Sequence, residues 1–196
     1  MQRKTLTLPN PRSTPIDCIS RTVDKLSRRY KTRDPYELCD VLGIKIRLKD
    51  LGFCIKAYYF YQSRIGSIVL NCRVSEPIRR ILAAHELGHD RLHKKIAMLR
   101  GFQEMELFDM ARPAEYEANI FAAELLIDDN DLLEQLNDND KSFFDVAREL
   151  GVPAALLDFK FRVLKHKGCR IEAPYIANGD FLKDGIDGCF DGEEHY

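Results

Sequence analysis

The chain has no apolar run that approaches the roughly 20 residues needed to span a bilayer. No apolar segment follows the basic pair Arg3-Lys4, so we expect no secretion signal. A large charge of one sign is also missing, since the net charge is −1 over 196 residues, which argues against nucleic acid or an anionic membrane as an obligatory partner. These absences predict a cytoplasmic protein that neither enters a membrane nor works by direct binding to nucleic acid.

The six cysteines lie far apart and include no C-x-x-C pair, which excludes a zinc-ribbon pattern. Without a secretion signal, we expect reduced and mostly buried thiols. Internal repeats and low-complexity tracts are absent as well. The chain length fits one domain with an ordinary core.

Three segments differ in composition. Residues 1–14 hold prolines and polar groups with little periodicity, and we expect a loose leader. Residues 15–167 show hydrophobic periodicity and are predicted to form one domain, with a helical C-terminal part over about 129–167. Residues 168–196 are glycine-rich and acidic, and we predict no fold for this tail.

Within the predicted domain, the periodicity indicates N-terminal helices, a small antiparallel sheet, a pair of active-site helices and C-terminal helices, which is an α+β fold. The start signals include Asp34-Pro35 and Ser75-Glu76-Pro77, and a turn at 63–66 joins two strands. The predicted helices are 15–30, 34–43, 75–93, 111–127, 129–136, 142–150 and 153–166; the strands are 44–49, 53–62 and 66–72; a loop is expected over 94–110.

The most informative string is His-Glu-Leu-Gly-His at residues 85–89. Histidines at i and i+4 lie one turn apart on the same helix face, so both imidazoles can reach one tetrahedral metal ion. Ile78 and Leu82 precede them at the same spacing, so the histidines continue the apolar stripe of their helix. Histidines that point into a core need partners, and a metal ion supplies one for each. Glu86 lies beside that face, where it can accept a proton from water and act as the catalytic base.

A catalytic zinc needs a third protein ligand. The metzincin pattern is excluded, because position 95 is Lys instead of His. His93 lies four residues past His89, but a further i+4 step drifts to the side of the helix, which favours a structural histidine or a group that supports a ligand.

Glu115 is the better candidate, because Glu115, Asn119, Ala122 and Leu126 form a stripe suited to packing against the first helix. Asn119, one turn further, can take the free ring N–H of a ligand histidine. Glu117 is the competing ligand and ranks second, since it lies on another side of the helix once this stripe is fixed.

HELGH followed by E-x-E-A-N-x-F-A-A-E-L-L at 115–126 resembles the ImmA/IrrE family of metallopeptidases, which are relatives of the gluzincins. The resemblance covers roughly residues 16–165. Many members end the second motif in Leu-Leu-Met-Pro, whereas this chain has Leu-Leu-Ile-Asp at 125–128, a departure that falls past the ligands.

This resemblance implies a hydrolase with one zinc per chain, held by His85, His89 and Glu115, with Glu86 as base and Asn119 in support. It also implies a protein substrate, a helix-turn-helix repressor of a phage or mobile element. The oxyanion donor stays open, and Tyr116 and His93 are among several candidates.

Two other functions compete with this interpretation. Residues 145–157 resemble a helix-turn-helix, but the second helix begins with Pro153 and apolar residues, which favours packing or partner docking over reading DNA. A zinc-bound anti-repressor or sensor would keep the metal and act by binding without proteolysis.

Overall fold

The computed structural model describes residues 14–99, 108–136 and 141–171. All but the last residue of the predicted leader over 1–14, and most of the predicted tail over 168–196, lie outside these ranges. Within them the chain forms seven helices and a three-stranded sheet: α1 Pro15–Tyr30, α2 Pro35–Val41, β1 Lys45–Lys49, β2 Ala57–Gln62, β3 Ile65–Asn71, α3 Glu76–Leu99, α4 Phe108–Leu126, α5 Asp129–Leu136, α6 Phe143–Glu149 and α7 Ala154–His166. The predicted α+β fold class is confirmed.

The first helix has the predicted bounds, and the second begins at the predicted Asp34-Pro35 start signal. Thr14 and Asp17 form a reciprocal capping box at the start of α1, and Pro15 occupies the first turn. The side chain of Asp34 caps α2 by accepting from two backbone N–H groups. The buried face of α1, which includes Ile19 and Val23, joins the main core.

The sheet has the order β1-β3-β2. β2 and β3 form an antiparallel hairpin whose turn residues, Ser63 and Arg64, both have positive φ (51° and 67°), as a two-residue type I′ turn requires. β1 pairs in parallel with β3, so the sheet is mixed where we expected it to be wholly antiparallel. Alternation along β1 indicated a half-buried strand but carried no information on the direction of its neighbour, and β3 occupies the central position between the other two strands.

The centre of the molecule is the contact between α3 and α4, with α3 also packed on β2 and β3. Gly88 permits this close approach, because a Cβ at this position would lie 3.2 Å from the Cα of Ala118 and 3.2 Å from the Cβ of Phe121. Small residues on α4 complete the contact, since Ala118 and Ala122 are fully buried.

Both central helices are longer than predicted. α3 continues through Leu99 and α4 begins at Phe108, so the expected loop over 94–110 is wrong at both ends. Residues 94–99 read Lys-Lys-Ile-Ala-Met-Leu, most of them good helix formers, and helix propensity extends α3 beyond the end of its apolar stripe. Residues 100–107 lie outside the described part of the chain.

The C-terminal helices pack back onto α4 through α7. Ala155, Leu156 and Leu157, at the start of α7, are buried in the core. This is the end of the helix that a helix-turn-helix protein would present to DNA, so its packing agrees with the structural role that we favoured. None of the described helices is long and apolar enough to cross a membrane.

A buried charge network fastens α7 to α4. Lys160 is fully buried, and its Nζ lies 2.7 Å from Oε2 of Glu124, which is 3% exposed. Lys167 contacts the other Glu124 oxygen at 2.6 Å. Asp129 at the start of α5 lies within 2.8 Å of both ammonium groups, so three helices meet at one set of charges.

Candidate active site

His85 and His89 lie one turn apart on α3 and direct their rings to the same point. Their Nε2 atoms are 3.1 Å apart, and the rings meet edge to face with centroids separated by 4.8 Å. His85 is 5% exposed, and His89 is half-buried. The i, i+4 spacing of the HELGH string thus brings both imidazoles together.

Glu115 reaches the same point from α4. One carboxylate oxygen lies 3.2 Å from Nε2 of His85, and the other lies 3.5 Å from Nε2 of His89. One potential ligand atom from each of the three residues lies within 4.8 Å of the other two. We call these residues the His-His-Glu cluster.

The electrostatics of the cluster favour an ionised carboxylate. Burial acts to raise the pKa of Glu115, but the adjacent imidazoles of His85 and His89 outweigh this effect and hold the pKa well below its usual range. Two imidazoles and one carboxylate therefore face each other in a site that is largely closed to solvent.

Asn119 lies one turn after Glu115 and is fully buried. Its Oδ1 is 2.9 Å from Nδ1 of His85. An amide oxygen can only accept, so Nδ1 of His85 carries the hydrogen and the lone pair of its Nε2 faces the cluster. This is the contact that the spacing of Glu115 and Asn119 predicts.

His93 and Glu117, which the sequence left as alternatives, lie beside the cluster. Nδ1 of His93 is 3.3 Å from Nδ1 of His89, and Nε2 of His93 is 2.9 Å from Oε2 of Glu117. Burial lowers the pKa of His93, while the hydrogen bond to Glu117 opposes this effect. Glu117 therefore faces His93 instead of the cluster, and Glu115 is the carboxylate that meets both predicted histidines.

Glu86, the predicted base, and Tyr116, a candidate oxyanion donor, lie in different surroundings. Glu86, within the HELGH string, is 7% exposed. The ring of Tyr116 packs against that of Phe159, with centroids 5.7 Å apart, and Arg162 lies over the same ring. Tyr116 thus occupies a packing position between α4 and α7.

Comparison with known proteins agrees with this geometry. The profile of the peptidase M78 family, described as the IrrE N-terminal-like domain, matches residues 39–162, a range that contains the whole cluster. The chain belongs to the ImmA/IrrE family. This is a family of metallopeptidases, so membership implies a metal ion.

Two relatives match most of the chain. One is the uncharacterized immunity region protein 2 of Bacillus phage phi105, which is 35% identical over 146 residues, 74% of this chain and 90% of that protein. The other is the metallopeptidase ImmA of Bacillus subtilis strain 168, 26% identical over 163 residues, 81% of this chain and 93% of that protein. The family is thereby associated with phage immunity regions.

Sequence reasoning missed one buried group beside the site of this ImmA/IrrE protein. Asp90 directly follows the second histidine and is 1% exposed. It accepts a hydrogen bond of 2.5 Å from the hydroxyl of Tyr59 on β2, and it also contacts Arg91 and Lys94. The hydrogen bond from Tyr59 joins α3 to the sheet, whereas Arg91 and Lys94 belong to α3 itself. The sequence shows that Asp90 is an acidic residue on the buried side of its helix. Its pairing with Tyr59, however, depends on how α3 lies on the sheet, which the sequence pattern does not give.

Proposed function

We propose that this ImmA/IrrE protein is a zinc-dependent endopeptidase in which His85, His89 and Glu115 hold the metal. The observation that carries the proposal is the convergence of two imidazole Nε2 atoms and one carboxylate at a single buried point. Two nitrogen donors and one oxygen donor form the protein part of many catalytic zinc sites, which keep a fourth position open.

The spacing of the donor atoms fits zinc. Bonds of about 2.0 to 2.1 Å at tetrahedral angles place neighbouring ligand atoms about 3.3 Å apart. The two Nε2 atoms are 3.1 Å apart, and Glu115 places one oxygen 3.2 Å from Nε2 of His85 and its other oxygen 3.5 Å from Nε2 of His89. Electron-rich atoms held this close to one another are suited to a cation, and this donor set favours zinc over magnesium or calcium, which prefer oxygen ligands.

Glu86 supplies the proton chemistry in this proposal. A zinc ion held by the cluster would polarise the scissile carbonyl and lower the pKa of a water molecule to about 7. The Glu86 carboxylate accepts the proton of the attacking water and returns it to the leaving amine. Its position between the two histidine ligands, in a site with little solvent exposure, supports this role.

The proposed substrate is a helix-turn-helix transcriptional repressor of a phage or mobile element, cleaved at a specific site in the cytoplasm. The support comes from the relatives, because one belongs to a phage immunity region and another carries the name of a metallopeptidase. Cleavage of a repressor would relieve repression and so connect these two descriptions.

The second candidate function is a zinc-bound anti-repressor or sensor, which would bind its partner without hydrolysing a peptide bond. The buried Glu86 separates the two candidates experimentally. Purified wild-type protein and Glu86→Gln are incubated with the repressor encoded nearest to the gene, and products are read by mass spectrometry.

An endopeptidase loses cleavage by a factor on the order of 10² to 10⁴ in Glu86→Gln, the usual contribution of a general base. The same variant retains its zinc and its affinity for the repressor. A binding protein behaves identically in both forms and leaves the repressor intact. Unaltered cleavage after chelation, with metal loss confirmed, would rule out the zinc mechanism.

A further inference from the structure

A chain of hydrogen bonds leads away from the His-His-Glu cluster along α3 to α4. It starts at Nδ1 of His89, continues to Nδ1 of His93 at 3.3 Å, and passes from Nε2 of His93 to Oε2 of Glu117 at 2.9 Å. The side chain of His93 is 12% exposed and that of Glu117 is 31% exposed. The chain is thus partly buried and ends at a carboxylate near the surface.

The chemistry of the end group fixes every hydrogen in this chain. An ionised carboxylate can only accept, so Nε2 of His93 must carry a hydrogen. Nδ1 of a neutral His93 is then an acceptor, and the facing Nδ1 of His89 must donate to it. Nε2 of His89 is left with its lone pair, and this atom faces the other Nε2 and Glu115.

We propose that Glu117 and His93 are positioning residues that hold His89 in the tautomer able to bind zinc through Nε2. This inference rests on the proposed zinc site. His93 and Glu117 supply no ligand atom to the cluster. The inference assigns them the task for His89 that Asn119 has for His85. Ligand histidines generally donate their other ring N–H to such a partner, which sets the ring orientation and raises ligand basicity.

The two supports differ in a way that can be tested. Asn119 acts on His85 directly, through an amide oxygen with one possible role. Glu117 acts on His89 through His93, and we call these two residues the relay. Because a neutral histidine has two tautomers, the effect of His93 on His89 depends on which tautomer Glu117 selects. Removal of the Glu117 carboxylate should therefore change the tautomer of His93.

Histidine tautomers can be read directly by long-range ¹⁵N–¹H NMR of the zinc-free protein, in which no metal ion fixes the tautomer of His89. We expect His93 to carry its hydrogen on Nε2 and His89 to carry its hydrogen on Nδ1. In Glu117→Leu, the Nε2–H form of His93 should lose its dominance, whereas Glu117→Gln should preserve it because the amide oxygen can still accept. A His93 that carries its hydrogen on Nδ1 in the wild type would overturn the inference.

Zinc affinity, measured by competition with a chelator, provides the second readout. Loss of such a supporting contact usually weakens metal binding about 10-fold to 100-fold, and we expect a change of this size in His93→Phe. His93→Asn should recover most of the affinity, because its amide oxygen can accept from Nδ1 of His89. Equal affinity in His93→Phe and wild type would overturn the inference.

His166 is the matched control. Its Nε2 lies 2.9 Å from Oδ1 of Asp17, so it forms a histidine–carboxylate pair of the same length without contacting the cluster. His166→Phe should leave zinc affinity unchanged. An equal loss in His166→Phe and His93→Phe would show a general effect of stability and count against the relay.

The two proposals fail in different ways. If wild-type protein takes up no zinc, both the zinc site and the relay are contradicted. If wild type binds zinc and His93→Phe and Glu117→Leu bind it equally tightly, the relay is contradicted while the zinc site stands. If His93→Phe does not fold, the comparison of Glu117→Leu with Glu117→Gln decides, since the Glu117 side chain is partly exposed and tolerates substitution more easily.

Discussion

His85 donates a hydrogen bond from Nδ1 to Oδ1 of Asn119 across the contact of α3 and α4, at a distance of 2.9 Å. Asn119 is fully buried, and Glu115 precedes it by one turn on the same helix. One face of α4 therefore contributes a carboxylate to the cluster and an orienting contact to a histidine of α3. The relative position of the two helices decides the geometry of the site.

Asn119→Ala should weaken zinc binding about 10-fold to 100-fold, because His85 loses the acceptor that fixes its ring. Chelator competition measures this change. Asn71→Ala is the matched control: Asn71 is also fully buried and donates to the carbonyls of Gly52 and Ile55, away from the cluster. The control should lower stability without changing zinc affinity, and an unchanged affinity in Asn119→Ala would contradict the assigned role.

Gly88→Ala should destabilise the protein by about 1 to 3 kcal/mol, although alanine is normally the better helix former. The added Cβ would lie 3.2 Å from the Cα of Ala118, and that backbone atom cannot move without shifting α4. Urea denaturation measures the loss, and Gly88→Ser should lose more. A variant more stable than wild type would show that the helices are not in close contact at this point.

Lys160→Met should lower the free energy of unfolding by about 3 kcal/mol, because it leaves the buried carboxylate of Glu124 with a single cation, Lys167. The double variant Lys160→Met, Glu124→Leu should be less destabilised than the single variant, since no unpaired carboxylate remains buried. Denaturation of the double variant and of both single variants, Lys160→Met and Glu124→Leu, tests the pair. A double variant with the summed losses of both single variants would contradict a direct interaction.

The stability of the α4, α5 and α7 junction should also depend on pH through Asp129. Burial acts to raise the pKa of Asp129, but the hydrogen bonds from Lys160 and Lys167 outweigh it and lower this pKa. A lowered folded-state pKa stabilises the protein above the unfolded-state pKa, about 3.9, and the contribution is lost as pH falls further.

Asp129→Asn should therefore be less stable than wild type near neutral pH, with a difference that narrows as the pH falls below about 4. Thermal unfolding of both proteins over this range measures the difference. A constant difference across the range would show that the ionisation of Asp129 does not stabilise the fold.

Much of the site follows from local sequence. Two histidines one turn apart must share a helix face, and the stripe through Glu115 and Asn119 indicates which face of α4 meets α3. The structure brings these four residues together. The same wheel argument turned Glu117 away from the cluster, and the structure places it against His93.

Other features depend on relations that a local pattern does not contain. The pairing of His93 with Glu117 requires the rotation of α4 relative to α3, and the contact of Asp90 with Tyr59 requires the placement of α3 on β2. The parallel pairing of β1 with β3 reflects strand order. Alternation in a strand indicates burial on one face but not which neighbour it pairs with.

The most direct test of the account is the zinc content of purified protein, measured for wild type, Glu115→Ala and Glu117→Ala. The account predicts about one zinc per wild-type chain, loss of zinc from Glu115→Ala on dialysis, and retention of a zinc-binding site, with lower affinity, in Glu117→Ala. Wild-type protein that contains no zinc and cannot be loaded by adding it would contradict the central claim, as would a Glu115→Ala variant that binds zinc as tightly as wild type.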